Sequence, residues 1–301
     1  MKQIATPAVI DYYEAMEMLL RNARKVGEYR THFGLLHQPE ENHCFIRNVA
    51  LPHLAENHSQ RKEMQIAMDA LQERIFGPAL EGVAKQIADI GCGTGGTLKN
   101  LSQQYPNHSY RGININSVQY HLALSHLSEQ SQVELINKNF FHFQPGTKFD
   151  LLYFIESAFH MSPKEALCAK ISECLNDEGE VILVDIFQEE ELYRRIKGTR
   201  EKELFSYLSV NRWKEIFRQH GLESTGYEDL SLPVANYCAV TTQKKEFLDR
   251  IVPEIVPAGQ LLSPVTLDNF LKVYQGYKRL SRQLKRGSLQ YGILRFKKVR
   301  K

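Results

Sequence analysis

ADIGCGTGGTLKNL, residues 88–101, joins the end of an apolar run to a glycine-rich turn and a helical segment. The glycines at 91, 93, 95 and 96 permit left-handed backbone and let a ligand approach the chain closely. Open α/β sheets bind ligands at such strand-to-helix turns, outside the carboxyl ends of their strands. This stretch therefore predicts an α/β fold with a ligand held at the turn.

Downstream of residue 85, short β-rich runs alternate with helical stretches, which is the pattern of a parallel sheet covered by helices. Ser162-Pro163-Lys164-Glu165 predicts a capping box with proline at the first helical position. We therefore predict a doubly wound, mostly parallel sheet of seven strands. The predicted strands are residues 87–91, 110–115, 133–137, 149–155, 180–187, 222–230 and 289–296.

Two helical regions are predicted beside this sheet. Residues 1–80 carry the apolar patterns VIDYYEAMEMLL and RKEMQIAMDALQERIF, which predict a helical cap over the carboxyl ends of the strands. Residues 81–301 are predicted as the ligand-binding domain, with a helical insertion at about 235–285. Apolar positions in the insertion have helical spacing: Phe247, Ile251, Phe270, Leu271, Tyr274 and Tyr277.

Composition limits the functional class. The 301 residues are 43% hydrophobic, and their 38 basic and 35 acidic side chains are interspersed, which disfavours a nucleic-acid-binding surface. Five cysteines without a C-x-x-C pair argue against a disulfide framework or a zinc site. No signal peptide or membrane span is recognisable. We predict a cytoplasmic globular protein that binds a small molecule and no metal, and homo-oligomerisation stays open.

The sequence of the glycine turn fits two different cofactors. Gly91, Gly93 and Gly96 match the dinucleotide pattern G-x-G-x-x-G, but that site expects an acid about twenty residues later, where Asn114 stands. Asp89 precedes the turn, and a carboxylate there can hold the cationic part of S-adenosylmethionine. The alternative is that Asp89 only braces the turn. The residues favour S-adenosylmethionine over a nicotinamide dinucleotide.

Two motifs carry a resemblance to a known family. DIGCGTG, residues 89–95, resembles motif I of the class I S-adenosylmethionine-dependent methyltransferases, and the strand order fits over roughly residues 85–230. GININSVQ, residues 112–119, resembles the branch with cyclopropane fatty acid synthases, tocopherol and geranyl diphosphate C-methyltransferases and sugar O-methyltransferases. The resemblance implies a Rossmann-like methyltransferase fold, S-adenosyl-L-methionine as donor and S-adenosyl-L-homocysteine as product.

The resemblance also implies which residues hold the cofactor. Asn114 and Gln119 stand where this branch binds the ribose, and Asn139 stands where the family has an acid that accepts from the adenine amino group. Gln119 is alternatively a polar surface residue, and Phe140 with Phe141 ordinary core. The predicted cofactor residues are Asp89, Gly91, Cys92, Gly93, Gly95, Asn114, Ile115, Gln119, Asn139, Phe140 and Ile155.

The segment after the fourth strand is predicted to carry the chemistry. Glu156-Ser157-x-x-His160-Met161 resembles an E-S-x-x-H-M stretch of this branch in which the histidine is a proposed general base. His titrates near neutral pH and can take a hydroxyl proton. The resemblance places Glu156 at the methionine part of the cofactor or at a developing carbocation. Alternatively, His160 hydrogen-bonds near the helix cap at Ser162.

The N-terminal loop is predicted to line the substrate pocket. THFGLLHQ, residues 31–38, resembles the H-x-G turn of many members of this branch, which implies that His37 also lies near the pocket and that Tyr12 lies over the cofactor. Aromatic residues also fill caps without touching substrate. The predicted pocket residues are Tyr13, Tyr29, His32, Phe33 and Phe159.

These predictions describe a methyltransferase acting on a small, largely apolar metabolite, with C-methylation of a prenyl or other biosynthetic intermediate as one reaction. O- or N-methylation of a natural product, and a non-catalytic S-adenosylmethionine-binding protein, are the alternatives. A nicotinamide-dependent oxidoreductase is disfavoured by Asn114, by the late position of the glycine turn and by the seventh strand.

Overall fold

The computed structural model describes residues 13, 16–18, 20–21, 23–25, 27–38, 58–77, 79–188, 205–239, 247–255 and 264–300. Tyr12, Cys44 and part of the predicted insertion lie outside these residues.

Seven strands form one sheet in the order β3-β2-β1-β4-β5-β7-β6. The first five strands are parallel neighbours, and β7 lies antiparallel between β5 and β6. The predicted mostly parallel, seven-stranded sheet is confirmed. The strands are β1 Gln86–Ile90, β2 Ser109–Asn114, β3 Val133–Asn137, β4 Phe149–Ile155, β5 Leu175–Phe187, β6 Leu222–Asp229 and β7 Gln290–Lys298.

Helices connect the strands and cover the sheet. They are α1 His58–Phe76, α2 Gly96–Gln104, α3 Ser117–His126, α4 Lys164–Cys174, α5 Val210–Gln219, α6 Ser231–Tyr237, α7 Val252–Ile255 and α8 Pro264–Lys285. Short 3-10 helices span Phe140–His142 and Ala158–His160, and a π-helical turn spans Phe247–Ile251. Phe270, Tyr274 and Tyr277 are buried along α8, as the insertion's spacing predicts.

Two sequence predictions of element boundaries are wrong. Pro163, rather than Ser162, is the N-cap residue of α4, no side chain caps this helix, and the helix begins at Lys164. The amide of Leu167 bonds the Pro163 carbonyl, so Ser162 stays outside the first turn. β5 begins at Leu175 rather than at residue 180, because Leu175 pairs with Phe149 before a register shift in the ladder.

Each sheet face has its own apolar core, as the alternation of strand side chains requires. Ile87, Tyr153 and Val184 lie on the face that packs with α1, α6 and α8. Ile90, Phe154 and Leu183 lie on the opposite face with α4 and α5. The sheet is therefore covered on both sides, which makes the fold doubly wound.

The N-terminal segment packs into the first of these cores. Met16, Leu20 and Phe33 belong to the same buried cluster as Ile87 and Tyr153. The proposed division of the chain at residues 80 and 81 stays a prediction. Among the described helices, none combines the length and apolar character needed to cross a membrane.

Candidate active site

The glycine turn after β1 has the geometry of a ligand cradle. Gly91, Gly93 and Gly95 have φ values of 82°, 55° and 76°, a region that L-residues rarely adopt. A Cβ on Gly91 would lie 2.5 Å from the Ser157 Cβ, and one on Gly95 would lie 2.5 Å from the Leu127 Cδ1. Among the described residues, a Cβ on Gly93 would have only the Thr31 Oγ1 within 4 Å, at 3.6 Å. The turn is therefore packed on both flanks and open at Gly93.

Asp89 lies near the end of β1, immediately before this turn. Its side chain is 4% exposed, and burial raises its pKa to about 7 against the opposing effect of the Tyr153 hydroxyl. Within the described residues, no ion pair involves Asp89. Burial, with a further contribution from Asp89, raises the pKa of the neighbouring Cys92 thiol well above its usual value. A cation placed beside Asp89 would favour its ionised form.

Asn114 and Gln119 meet where β2 ends and α3 begins. The Asn114 Nδ2 donates to the Gly93 carbonyl at 3.0 Å and to the Gln119 Oε1 at 3.1 Å. Gln119 is 4% exposed, and its Nε2 donates to the Glu17 Oε1 at 3.1 Å. Glu17 is in turn paired with Arg24 at 3.0 Å. The structure brings the two predicted ribose residues together beside the turn, and the surface alternative for Gln119 is excluded.

The residues predicted for the adenine lie further along the same edge. The Asn139 side chain accepts from the Phe141 amide at 3.0 Å and so caps the following 3-10 helix. The Phe140 ring is buried and packs edge-on against Phe154, which matches the core alternative for this ring. Ile115 is 40% exposed and Ile155 is half-buried. The half-buried Asn139 side chain, the Phe140 backbone and the two isoleucines are the groups that could face a ligand here.

The N-terminal segment crosses directly over the glycine turn. The Thr94 hydroxyl donates to the Tyr29 carbonyl at 2.6 Å. A Cβ on Gly96 would lie 2.5 Å from the Arg30 amide nitrogen, so only glycine permits this close crossing. The Tyr29 ring stacks on His126 with centroids 3.8 Å apart. Tyr29, predicted for the substrate pocket, therefore lies over the glycine turn and against the end of α3.

Glu156 follows β4 and is bound from two distant parts of the chain. Its Oε1 accepts from the Phe33 amide at 2.8 Å and from the Tyr291 hydroxyl at 2.9 Å. Burial raises its pKa to about 8, so the carboxyl is largely protonated at neutral pH. Glu156 thus ties the N-terminal segment and β7 to the end of β4.

This tether predicts different outcomes for two substitutions. Glu156→Ala removes the acceptor of the Phe33 amide and the Tyr291 hydroxyl. Each unsatisfied buried donor should lower the free energy of unfolding by about 1–3 kcal/mol. Glu156→Gln keeps a neutral side-chain carbonyl in place and is expected to cost less than about 1 kcal/mol. Urea denaturation of both variants measures the difference. Equal destabilisation by glutamine and alanine would contradict this role of the Glu156 oxygen.

His160 ends the 3-10 helix after β4 and contacts Tyr13 of the N-terminal segment. The Tyr13 hydroxyl and the His160 Nε2 are 2.8 Å apart. Phe159 and Phe205 surround the imidazole, with centroids 4.2 Å and 5.4 Å from it. The structure therefore joins two of the predicted site residues, Tyr13 and His160, within an aromatic wall that includes Phe159.

His32 and Phe33 lie between the turn and Glu156. The His32 Nδ1 is 2.6 Å from the Phe33 carbonyl, and burial lowers the pKa of the imidazole to about 4. Its Nε2 is buried and has no partner among the described residues. The Phe33 ring meets Tyr277 and Tyr291 edge-on. Both predicted pocket residues are therefore uncharged groups of the site lining. Within the described residues, the His32 Nε2 is left as a hydrogen-bond acceptor without a donor.

Sequence reasoning missed several groups in this site. Tyr291 and Glu17 contact predicted residues from more than a hundred positions away in sequence, and no local pattern marks such contacts. Lys164 and Asp185 are buried, and both bond backbone groups within residues 158–161, beside His160. Asp185 had a signal, since it is a lone acid within the apolar run VILVDIF.

Comparison with known proteins agrees with this geometry. Residues 59–225, more than half of the chain, match the family model described as a methyltransferase domain. The chain belongs to this family. It is an S-adenosylmethionine-dependent methyltransferase.

Relatives of this methyltransferase include a polyketide synthase and an O-methyltransferase. It is 24% identical over 184 residues to polyketide synthase ThaQ of Burkholderia thailandensis, a match of 58% of this chain and 8% of that protein. It is 22% identical over 195 residues to O-methyltransferase cnsE of Penicillium expansum, covering 63% of this chain and 70% of the relative. The chain therefore spans a small part of the first relative and most of the second.

A solved structure shares the fold. This is the O-methyltransferase from a trans-AT PKS multienzyme of Brevibacillus brevis, in complex with S-adenosyl-L-homocysteine. It superposes with a TM-score of 0.69 at 20% identity, over 90% of this chain and 84% of that chain.

The residues of the methyltransferase fit its cofactor. The left-handed turn is open at Gly93, where a ligand can approach the backbone. Asp89 supplies a buried carboxyl with no ion-pair partner among the described residues, which suits a cationic ligand. Asn114 and Gln119 supply amide groups that match a diol.

Proposed function

We propose that this methyltransferase methylates a hydroxyl group of a small, largely apolar natural-product intermediate, with His160 as general base. The observation that carries the proposal is the 2.8 Å contact between the Tyr13 hydroxyl and the His160 Nε2 at the end of β4. A base at this place serves an acceptor that must lose a proton, and a hydroxyl is such an acceptor.

We propose that the cofactor lies along the carboxyl ends of β1, β2 and β4. Asp89 and the turn of Gly91, Cys92, Gly93 and Gly95 would hold the methionine part. Asn114 and Gln119 would hold the ribose, while Asn139, the Phe140 amide, Ile115 and Ile155 would hold the adenine. When bound, S-adenosylmethionine supplies an electrophilic methyl group on a sulfonium.

The protein's part in the reaction is to align the acceptor and to receive its proton. With Nε2 unprotonated, His160 accepts a hydrogen bond from Tyr13. The hydroxyl proton of the methyl-accepting substrate passes to the Tyr13 oxygen as the Tyr13 proton moves to the His160 Nε2. His160 ends as imidazolium, and Tyr13 is unchanged. Phe159 and Phe205 pack beside the half-buried imidazole and reduce its contact with water.

The aromatic wall favours a second candidate, methylation of carbon. Phe159, Phe205 and Tyr207 cluster beside His160, with Phe205 and Tyr207 stacked at 5.8 Å. Faces of aromatic rings stabilise cations, so this wall suits an alkene acceptor that passes through a carbocation. His160 would then remove the proton after carbon–carbon bond formation.

The role of Asp89 predicts a pH-dependent affinity. The carboxyl has a pKa of about 7 in the free protein, and a bound cation lowers that pKa. Binding therefore releases a proton, and the affinity for S-adenosylmethionine rises with pH and levels off above 7. Below 7 it should fall by up to about tenfold per pH unit.

Isothermal titration calorimetry between pH 5.5 and 7.5 measures this dependence. The control is Asp89→Asn, which should bind more weakly and with the same affinity across the range. Equal affinity of the unaltered protein at both ends of the range would remove Asp89 as the partner of the cation.

A screen of acceptors tests the proposed reaction. Hydroxylated, largely apolar small molecules and matched alkenes are incubated with the enzyme and S-adenosylmethionine, and S-adenosylhomocysteine formation is followed. Turnover confined to hydroxylated acceptors supports O-methylation. Turnover confined to alkenes supports the second candidate, and cofactor binding without turnover of any acceptor contradicts both.

A further inference from the structure

The loop that carries His160 is held in a strained shape. This His160 loop, residues 156–161, runs from the end of β4 to just before α4. Glu156 has φ of 53°, in the left-handed region that a glutamate rarely adopts. Such strain persists only where the surrounding structure fixes the backbone. The groups that fix the loop therefore decide where the imidazole stands.

Lys164 holds the carbonyls on both sides of His160. Its side chain is 4% exposed, which is rare for lysine. The Nζ donates to the Ala158 carbonyl at 2.6 Å and to the Met161 carbonyl at 2.8 Å. The Trp213 ring lies 5.5 Å from the same nitrogen. The amine thus spans the loop from two residues before His160 to one residue after it.

Asp185 holds the amide that precedes His160. It lies in β5 and is 1% exposed. Its Oδ2 accepts from the Phe159 amide at 3.0 Å, and its Oδ1 accepts from the Ile186 amide at 2.8 Å. The Phe159 carbonyl in turn accepts from the Ser206 amide at 2.8 Å. The peptide groups around Phe159 are therefore bound to the neighbouring strand on one side and to residue 206 on the other.

These two buried groups are a costly way to stabilise a core. Burial lowers the pKa of Lys164 and raises the pKa of Asp185, because each loses the solvation of its charged form. Both bond backbone groups of the loop, and within the described residues no salt bridge joins them. The attraction between their opposite charges partly offsets these pKa shifts, and apolar side chains would still stabilise a core at least as well as such a buried pair. Their bonds converge on the His160 loop.

We propose that Lys164 and Asp185 are positioning residues that fix the backbone around His160 and so keep its imidazole beside Tyr13 and the acceptor. This inference rests on the proposed role of His160 as the base. Neither residue touches the imidazole, and each acts through the peptide groups that flank it.

Lys170 provides a matched control on the same helix. Its side chain is 6% exposed, and its Nζ bonds both carboxylate oxygens of Glu173 at 3.0 Å. Lys170 thus resembles Lys164 in residue type, helix and burial. It differs in its partner, because it bonds a side chain of its own helix rather than the backbone of the His160 loop. Replacing it removes a buried ammonium without touching the His160 loop.

The test compares Lys164→Met and Asp185→Asn with Lys170→Met in the full-length protein. In Lys164→Met and Asp185→Asn, amide exchange of residues 156–161 should accelerate by about tenfold or more, because the loop opens more readily. The His160 ring signals in NMR, assigned with His160→Gln, should move away from their positions in the unaltered protein. Turnover should fall by about 10²-fold while affinity for S-adenosylhomocysteine stays unchanged.

Lys170→Met should leave all of these signals as they are in the unaltered protein. If Lys164→Met does not fold, Asp185→Asn carries the test, since asparagine keeps the volume but has one acceptor oxygen for the two amides, of Phe159 and Ile186, that Asp185 binds. Loop exchange and His160 signals that match those of Lys170→Met would overturn the inference. A loosened loop in a protein whose turnover survives His160→Gln would instead refute His160 as the base.

Discussion

Gly93→Leu should abolish binding of S-adenosylhomocysteine while the chain still folds. Among the described residues, a Cβ at this position has only the Thr31 Oγ1 within 4 Å, so a larger side chain would project from the open side of the turn. The affinity should fall at least about 100-fold, because close approach of ligand to backbone is the reason that such turns use glycine. Calorimetric titration measures the loss, and circular dichroism checks the fold.

Gly221→Leu is the control for this substitution. Gly221 also has positive φ, 77°, and a Cβ there meets no atom of the described part of the chain within 4 Å. Both variants carry the strain of a left-handed leucine, about 1–2 kcal/mol. Only Gly93→Leu should lose the ligand. Unchanged affinity in Gly93→Leu would contradict the assignment of the turn, and equal loss in both variants would point to destabilisation instead.

His160→Gln should lower turnover by about 10²- to 10⁴-fold, the usual contribution of a well-placed general base. Affinity for S-adenosylhomocysteine should stay the same, since the proposed cofactor residues belong to other segments. Tyr13→Phe should cause a smaller loss, because it removes the hydroxyl that contacts Nε2 and leaves the imidazole. Steady-state kinetics with the acceptor from the screen measure both effects.

His142→Gln is the matched control, since His142 also ends a 3-10 helix and is exposed. It should retain the turnover of the unaltered enzyme. Full activity in His160→Gln would show that the proton leaves by another route and that the 2.8 Å contact with Tyr13 is structural.

Local patterns in the sequence predicted the fold well. The strands from β1 to β4 lie within a residue of their predicted ends, because apolar runs bounded by turns mark them clearly. The start of β5 was missed by five residues, since NDEGE within it carries the polar signals of a turn. The capping box at Ser162 matched a sequence pattern, but in the structure the first turn of α4 begins from Pro163.

The candidate site was only partly predictable. Asp89, the glycine turn and His160 follow strand ends, so topology alone places them at one edge of the sheet. The contacts of Glu156 with Phe33 and of Gln119 with Glu17 join segments more than a hundred residues apart. Such pairings depend on tertiary packing and have no spacing that a single sequence displays. The Phe140 ring packs against Phe154, which agrees with the core alternative for this position, and its role at the adenine stays a prediction.

The position of the transferred methyl group tests the central claim most directly. The enzyme is incubated with S-adenosylmethionine carrying a ¹³C-methyl group and the acceptor from the screen, and the product is examined by NMR. We predict a labelled methyl group on oxygen, formed at least about 10²-fold more slowly by His160→Gln. A labelled methyl group on carbon or nitrogen, or equal rates in the two proteins, would contradict hydroxyl methylation with His160 as the base.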